Sequence, residues 1–277
     1  MNLHYQSAPV KNIFNKKIPH LVILHSLILI LLIFQSSLYS QNRFNLSQFK
    51  DESFRFIKQP SVWESSDWTK LGLIGAGTIL LMQIDQPIRE FALKNQNYSR
   101  SFSVEAGRIW GEGFPTILLA GAFGLHGLMM DSQSSKKIGF EIVQAALYAG
   151  AVTTVLKVVA GRARPFTDRG SGTYRAFSFF DDDFHSLPSG HVTLAFSLST
   201  VLSKNAKSDL LKILAYIPAV LTAVSRVYQD NHWTSDAFLG AAIGYFVGDW
   251  VSNQHKESTG GIETVSILPL SLRIAVF

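Results

Sequence analysis

The segments KVVAGRARP at residues 157–165, PSGH at residues 188–191 and SRVYQDNHWTSD at residues 225–236 decide how this chain folds. Each lies beside long apolar stretches, and the first two contain glycine and proline, which end helices and open loops. One helix is therefore expected to end within the first segment, and another to begin at the second.

Six apolar stretches contain small residues and long apolar faces without the alternation that is typical of strands, so they predict helices. They span residues 71–84, 115–130, 138–160, 191–202, 210–227 and 237–251. The predicted fold class is all-α, a helical bundle of about five or six core helices behind an N-terminal signal segment.

The length of these stretches bears on whether the bundle lies in a membrane. A full span needs about 20 apolar residues, and several of the stretches are shorter than that. The stretch at 138–160 is long enough but contains Glu141 and Gln144, and the stretch at 191–202 is soon followed by Lys204. We expect a membrane-embedded bundle of tilted, partly polar helices, with a soluble helical protein as the alternative.

Residues 1–40 have the order of a secretory signal peptide. Lys16 and Lys17 precede an apolar run at 21–34, and a small polar stretch at 35–40 follows it. This order predicts cleavage after Ser40, with an uncleaved signal anchor as the alternative. The predicted organisation is a signal peptide at 1–40 and one helical domain at 41–277, since no linker divides the remainder.

The chain contains no cysteine, which excludes disulfides, thiolate metal sites and cysteine nucleophiles. Its net charge is +5, and its basic residues are scattered rather than gathered in a stripe, so no nucleic-acid partner is predicted. Asp181, Asp182 and Asp183 could hold a metal, but we expect them to form a solvated acidic loop. Neither a metal nor another cofactor is predicted.

Lysines mark one side of the predicted bundle. They are Lys136, Lys137, Lys204, Lys207, Lys212 and Lys256. Under the positive-inside rule these lysines face the cytoplasm, which places the three segments on the periplasmic side. Together with a cleaved signal, this orientation requires that residues 71–84 do not cross, so we expect a re-entrant, interfacial or core helix there.

In order and spacing, the three segments resemble the signature of the type 2 phosphatidic acid phosphatase superfamily. The pattern is a lysine, six residues and Arg-Pro, then Pro-Ser-Gly-His, then Ser-Arg, five residues, His, three residues and Asp. The superfamily also contains soluble bacterial acid phosphatases and vanadium haloperoxidases. The resemblance covers Lys157 to Asp236 without a departure from the pattern, and it leaves residues 41–110 and 253–277 outside.

The resemblance implies a phosphate-binding site. Lys157, Arg164 and Arg226 would supply positive charge to the phosphate oxygens. Ser189 and Gly190 stand just before an apolar helix, whose first backbone N–H groups and positive dipole end form an anion site.

The resemblance also implies three catalytic roles. His232 would be the nucleophile that forms a phosphohistidine. Asp236, four residues later, would share a helix face with it and accept a hydrogen bond from one ring nitrogen. His191 would protonate the departing alkoxide and then deprotonate the water that hydrolyses the intermediate.

The leading hypothesis is a metal-independent phosphatase of the bacterial cell envelope that hydrolyses a phosphomonoester or pyrophosphate on a lipid. Its partners would be the phosphorylated lipid and the membrane. Three alternatives remain open: a soluble periplasmic acid phosphatase of broad specificity, a vanadate-dependent haloperoxidase and a non-catalytic envelope protein that binds phosphate head groups.

The sequence leaves the roles of several other residues open. Arg162 would contact phosphate or form an ion pair with an acidic residue. His185 and Trp233 would line the substrate entrance or pack the loop, and His126 is expected to be a packed histidine. Residues 262–277 could form a strand or hairpin of no assigned function.

Overall fold

The computed structural model describes residues 44–95 and 101–255. In these two ranges the chain forms ten α-helices, and its only β-pairing is an isolated bridge between Arg162 and Tyr174. The helices are α1 (Leu46–Lys58), α2 (Ser65–Met82), α3 (Asp85–Lys94), α4 (Phe102–Trp110), α5 (Gly113–Met129), α6 (Gln133–Ala160), α7 (Gly190–Asn205), α8 (Asp209–Leu214), α9 (Ile217–Tyr228) and α10 (Thr234–Gln254). The all-α prediction is confirmed, whereas the signal segment at 1–40 and the tail at 262–277 lie outside the described residues.

All six apolar stretches predicted to be helical coincide with helices, and three helices were missed. The stretch at 210–227 divides into α8 and α9, because α8 ends at Leu214 and Pro218 begins the first turn of α9. The missed helices α1, α3 and α4 have 13, 10 and 9 residues and bury only a narrow apolar face. Asn45 caps α1 by accepting a hydrogen bond from the Gln48 backbone N–H at 3.0 Å, a start signal that the sequence contained.

Helix α6 ends at Gly161, which has a φ of +57° and so adopts the left-handed conformation that glycine tolerates best. A Cβ atom at this position would collide with the carbonyl oxygen of Arg175. The backbone N–H of Arg175 donates to the carbonyl oxygen of Gly161 at 2.6 Å. This tight turn brings Arg162 and Arg164 to the end of α6.

Helices α6, α7 and α10 form the centre of the bundle. The main apolar cluster comprises Ala120, Ile142, Ala145, Tyr148, Ala149, Leu198, Val201, Val247 and Val251. Helix α7 also buries many small hydroxyl side chains. One of them is Thr200, whose Oγ1 donates a hydrogen bond to the carbonyl oxygen of Phe196 in the same helix at 2.7 Å. Small side chains let α7 pack closely against the glycines of α10.

The outer surface of the bundle is apolar where a water-exposed surface would be polar. Exposed hydrophobic side chains follow α2, α6, α8 and α9, including Leu73, Ile79, Leu80, Val155, Val159, Ile213, Ile217 and Val220. Helix α6 and the α8–α9 segment Asp209–Tyr228 are each long and apolar enough to cross a membrane, and the α2–α3 pair, bent by 53°, can count as a third. The length and composition of these helices make this chain a membrane protein, as predicted.

The two ends of the bundle carry different polar groups. At one end, Glu52 of α1 lies 3.1 Å from His255, just beyond α10, and Glu141 near the start of α6 lies beside them. At the other end, Asp85 of α3 lies 2.8 Å from Arg162, just beyond the end of α6. Helix α6 has 28 residues and is therefore about 42 Å long. Between Glu52 and Asp85 the chain thus passes from one end of the bundle to the other.

This path bears on the predicted membrane topology. If the bundle spans the membrane, the end at Glu52 and the end at Asp85 face opposite sides. Cleavage after Ser40, which would leave residue 41 outside, then conflicts with a site that also faces outside. For a spanning bundle, the same path conflicts with the prediction that residues 71–84 do not cross, because α2 (Ser65–Met82) is the helix that joins the two ends.

The close packing of α7 on α10 gives a test of the fold. A Cβ atom at Gly244 in α10 would lie 2.8 Å from the backbone nitrogen of Ser197 and would also collide with the carbonyl oxygen of Thr193. We expect Gly244→Ala to lower the free energy of unfolding by about 1–3 kcal/mol, because backbone atoms cannot move aside cheaply. Thermal unfolding in detergent measures this change.

Gly121→Ala is the matched control, because Gly121 lies inside α5 and a Cβ there would meet nothing within 4 Å. Alanine should be neutral or stabilising by about 0.5–1 kcal/mol at such a helical position. Equal losses of stability in the two variants would contradict the close α7–α10 packing.

Candidate active site

A cavity of about 360 Å³ opens at the end of the bundle near Asp85. Its lining includes side chains from all three motif segments: Lys157 and Arg164 from the first, His191 from the second and His232 from the third. The structure thus brings together groups that are up to 75 residues apart in sequence, as the resemblance implied. The rest of the lining comes from α5, α6 and α7 and from the link between α4 and α5.

His232 lies at the base of the cavity with only 2% of its surface exposed. Its Nδ1 lies 2.8 Å from the carbonyl oxygen of Ser186, which can only accept, so Nδ1 carries the proton. Nε2 therefore keeps its lone pair, and it lies 3.5 Å from the Arg164 guanidinium. This arrangement leaves one ring nitrogen available to attack an electrophile held beside Arg164.

The pKa of His232 favours the same role. Burial is the main cause that lowers this pKa to about 4; Asp236 opposes the shift, and the positive charges of Lys157 and Arg164 contribute to it. The imidazole is therefore neutral at pH 7, which is the form a nucleophile requires.

The predicted hydrogen bond between His232 and Asp236 is not present in the structure. The Asp236 Oδ2 atom lies 3.8 Å from His232 Nδ1, beyond hydrogen-bonding distance. It accepts instead from the Ser186 hydroxyl at 2.5 Å and from the Trp233 backbone N–H at 2.9 Å. The prediction failed because a loop 46 residues away supplies the acceptor for Nδ1, and spacing along one helix face contains no information about that loop.

Arg164 and Lys157 lie at the cavity wall, where the resemblance placed them. The Arg164 Nε and NH2 groups both donate to Asp182, at 2.9 Å each, and its NH1 group remains near His232. Lys157 donates a short hydrogen bond to the carbonyl oxygen of His185, and its Cε atom lies close to Gly190. Both cations can therefore meet an anion in front of His232.

Gly190 and His191 form the first turn of α7 and line the cavity. The first backbone N–H groups of a helix have no partner within the helix, so they can donate to an anion there. The N–H of Ser189 cannot do so, because it donates to the carbonyl oxygen of Asp236 at 3.0 Å. The hydroxyl of Ser189 is buried and has no hydrogen-bond partner among the residues that the structure describes.

His191 belongs to neither candidate span and lies among positive charges. Burial is the main cause that lowers its pKa to about 3, and the positive charges of Arg226, Arg164 and Lys157 contribute in the same direction. His191 is therefore neutral at pH 7. A bound phosphate dianion would oppose these positive charges and favour the protonated form that a general acid needs.

Arg226 is buried and does not line the cavity. Its NH2 group donates to Gln229 and its Nε group to the Ser225 hydroxyl at 3.3 Å. Its charge lies close enough to His191 to lower the pKa of that residue. Direct contact between Arg226 and phosphate stays a prediction.

The structure decides the open assignments for several loop residues. Trp233 is buried and donates from Nε1 to the carbonyl oxygen of Ala163 at 2.9 Å, so it packs the loop. His185 also packs the loop, since its Nε2 lies 2.5 Å from the carbonyl oxygen of Ser178. His126 pairs through Nδ1 with the Ser135 hydroxyl at 2.9 Å, outside the site.

The three acidic residues of the loop pair with arginines. Asp181 forms an ion pair with Arg175, Asp182 forms one with Arg164 at 2.9 Å, and Asp183 lies 4.0 Å from Arg169. Within 44–95 and 101–255, no group of three or more histidine or carboxylate side chains is arranged to hold a metal ion.

Arg162 is an ion-pair residue rather than a phosphate contact. Its guanidinium lies 2.7 Å from Asp236 and 2.8 Å from Asp85, and only 1% of it is exposed. The roles of Asp85 and Ser186 were not predicted from the sequence. An acidic residue at the end of an otherwise apolar stretch was the one available signal for Asp85, and no signal pointed to Ser186.

The fold and the cavity define an all-helical membrane protein with lysine, arginine and histidine side chains lining one cavity. Residues 139–259 match the family model described as the PAP2 superfamily. The match includes all three segments, so the resemblance predicted from them is confirmed for this part of the chain.

Two curated relatives are similar over parts of their length. A lipid A 1-phosphatase of Porphyromonas gingivalis is 36% identical over 74 residues, which is 25% of this chain and 17% of that protein. An undecaprenyl-diphosphatase of Sulfolobus acidocaldarius is 32% identical over 140 residues, 50% of this chain and 64% of that protein. The aligned parts thus span less than two thirds of either relative.

One solved structure is also similar, the first transmembrane PAP2 type phosphatidylglycerolphosphate phosphatase from Bacillus subtilis. The sequence identity is 15%, the TM-score is 0.38, and the match covers 83% of this chain and 94% of that one.

Proposed function

We propose that this protein is a metal-independent phosphatase of the bacterial cell envelope, which hydrolyses a phosphomonoester or pyrophosphate on a lipid. The observation that carries the proposal is His232, whose Nδ1 is tied to Ser186 while its Nε2 lies beside Arg164 at the cavity. Two relatives named as a lipid A 1-phosphatase and an undecaprenyl-diphosphatase support a lipid substrate.

The first step of the proposed reaction forms a phosphohistidine. Nε2 of neutral His232 attacks phosphorus, the bond from phosphorus to the leaving oxygen breaks, and protonated His191 gives that oxygen its proton. Lys157, Arg164 and the first N–H groups of α7 would stabilise the charge on the other phosphate oxygens. Asp236, 3.8 Å from Nδ1, would stabilise the positive imidazole ring electrostatically.

The second step returns the enzyme to its starting state. A water molecule attacks the phosphorus of the phosphohistidine, and neutral His191 accepts its proton. The bond between phosphorus and Nε2 breaks, inorganic phosphate forms, and His232 is neutral again. His191 is then protonated and can donate a proton to the leaving oxygen of the next substrate molecule.

Phosphate release tests this proposal. The purified protein would be assayed in EDTA against soluble phosphate esters, lipid phosphomonoesters and lipid diphosphates, each lipid in detergent micelles. Release from the lipids in EDTA is expected. Release from the soluble esters alone would favour the acid phosphatase alternative, whereas halide oxidation only with added vanadate, bromide and peroxide would favour the haloperoxidase.

We further propose that the site faces the periplasm. In support, Lys136 and Lys137 begin α6 and Lys204 lies in the last turn of α7, all at the end opposite the cavity. The positive-inside rule places that end in the cytoplasm. For a spanning bundle, cleavage after Ser40 would fit only the reverse orientation.

The absence of cysteine makes this orientation directly measurable. Phe180→Cys would place one thiol on the fully exposed loop near the cavity, and Lys207→Cys would place one on the exposed turn after α7. In intact cells, a membrane-impermeant maleimide should label the first variant only, and it should label both after lysis. The reverse pattern in intact cells would contradict a periplasmic site.

A further inference from the structure

Arg162 lies between two buried carboxylates, and only one of them belongs to the motif segments. Its NH1 group donates to Asp236 Oδ1 at 2.7 Å, and its NH2 group donates to Asp85 Oδ2 at 2.8 Å. The three side chains are at most 1% exposed. Asp85 begins α3 and lies outside residues 139–259, which match the PAP2 superfamily model.

Asp85 also holds the first turn of α10. Its Oδ1 accepts from the Ser235 backbone N–H at 2.9 Å, and its Oδ2 accepts from the Ser235 hydroxyl at 2.5 Å. Arg162 donates to the same hydroxyl at 2.7 Å. Ser235 precedes Asp236 directly, so Asp85 fixes the backbone that carries Asp236 as well as the arginine that binds its carboxylate.

From Asp236 the contacts continue to the proposed nucleophile. The other carboxylate oxygen of Asp236 accepts from the Ser186 hydroxyl, and the Ser186 carbonyl oxygen accepts from His232 Nδ1. Each link is a hydrogen bond between buried groups. Buried polar networks of this kind hold their members in one geometry, because leaving any member unpaired is costly.

We propose that Asp85 and Arg162 are positioning residues that fix Asp236 and, through Ser186, the imidazole of His232. Helix α3 would thus complete a site that the residues matching the PAP2 superfamily contain only in part. This inference rests on the proposed phosphatase function.

The first test is Asp85→Asn, which keeps the shape of the side chain and removes its charge. We expect kcat to fall by roughly 100-fold with KM nearly unchanged, because a misplaced nucleophile slows the chemical step rather than binding. Asp236→Asn should lower kcat at least as much. The double variant should be no slower than Asp236→Asn, since both substitutions act on one network.

Asp168→Asn is the matched control. Asp168 pairs with Arg89 of α3 at 2.6 Å, so it also joins α3 to the motif loop, but it is exposed and does not contact Asp236. The kcat of Asp168→Asn should stay within about twofold of the wild type, because an exposed ion pair usually contributes little. Arg162→Lys is the second variant, for use if Asp85→Asn fails to fold, since a lysine cannot hold both carboxylates in the same geometry.

Orthovanadate binding, measured by calorimetry, separates this inference from the proposed function. Vanadate can take a fifth ligand from an imidazole nitrogen, so its affinity reports the position of His232 without turnover. We expect about tenfold weaker binding by Asp85→Asn or Arg162→Lys. Wild-type kcat and vanadate affinity in a folded variant would overturn the inference. An inactive wild type would overturn the phosphatase proposal, and the vanadate measurement would still decide the positioning role.

Discussion

His232→Ala should lower phosphate release by at least about 1,000-fold, because His232 is the one histidine of the described residues that lines the cavity with an imidazole nitrogen facing Arg164. The cationic groups around the cavity remain in this variant, so phosphate binding should weaken much less than turnover. The measurement is kcat for a lipid phosphate at saturating concentration in EDTA. Trapping with radioactive substrate followed by alkaline quenching should show a phosphoenzyme in the wild type and none in the variant.

His126→Ala provides the control for this substitution. His126 contacts Ser135 at the far end of α5 and has no contact with the cavity. Its turnover should match that of the wild type. Full turnover by His232→Ala would rule out the phosphohistidine mechanism.

Among the proposed variants, His255→Ala should lower the free energy of unfolding the most. His255 Nε2 lies 3.1 Å from Glu52, and Nδ1 lies 3.2 Å from Glu141, so one ring joins α1 and α6 at the end of α10. Removing it leaves two buried carboxylates facing each other. The expected loss is about 3–5 kcal/mol, the usual cost of removing one member of a buried ion pair.

The same residue makes stability depend on pH. Burial by itself would lower the pKa of His255, but its pairing with Glu141 and Glu52 outweighs burial and raises the pKa to about 9. Since this pKa lies above that of the unfolded chain, about 6.5, the folded state binds the proton more tightly. The stabilisation is complete below about pH 6.5 and is lost as the pH rises through 9.

Thermal unfolding in detergent between pH 6 and pH 10 measures this effect. The midpoint of the wild type should fall across this range, and that of His255→Ala should start lower and change less. His126→Ala is the control variant, because His126 pairs with the Ser135 hydroxyl and lies outside the His255 cluster. An unchanged slope in His255→Ala would show that His255 is not the group responsible.

Short-range patterns predicted much of this fold. The apolar stretch at 138–160 gave α6, and the glycine that follows it gave the end of that helix. Helices α1, α3 and α4 escaped prediction because their apolar faces are narrow and their partners are distant in sequence. Glu52, for example, is held by His255, which is 203 residues away.

The sequence alone determined which groups meet at the site: Lys157, Arg164, His191 and His232 line one cavity, as their order and spacing implied. It could do so because the three segments together resemble a family signature that implies one shared site, whereas the local glycine, proline and apolar patterns predict only the helix ends at which these groups stand. Only the tertiary structure decided the partners of those groups. Ser186 rather than Asp236 accepts from His232, and Asp85 completes the environment of Asp236 through Arg162. A buried hydrogen bond depends on which distant loop or helix packs alongside, and no local pattern contains that information.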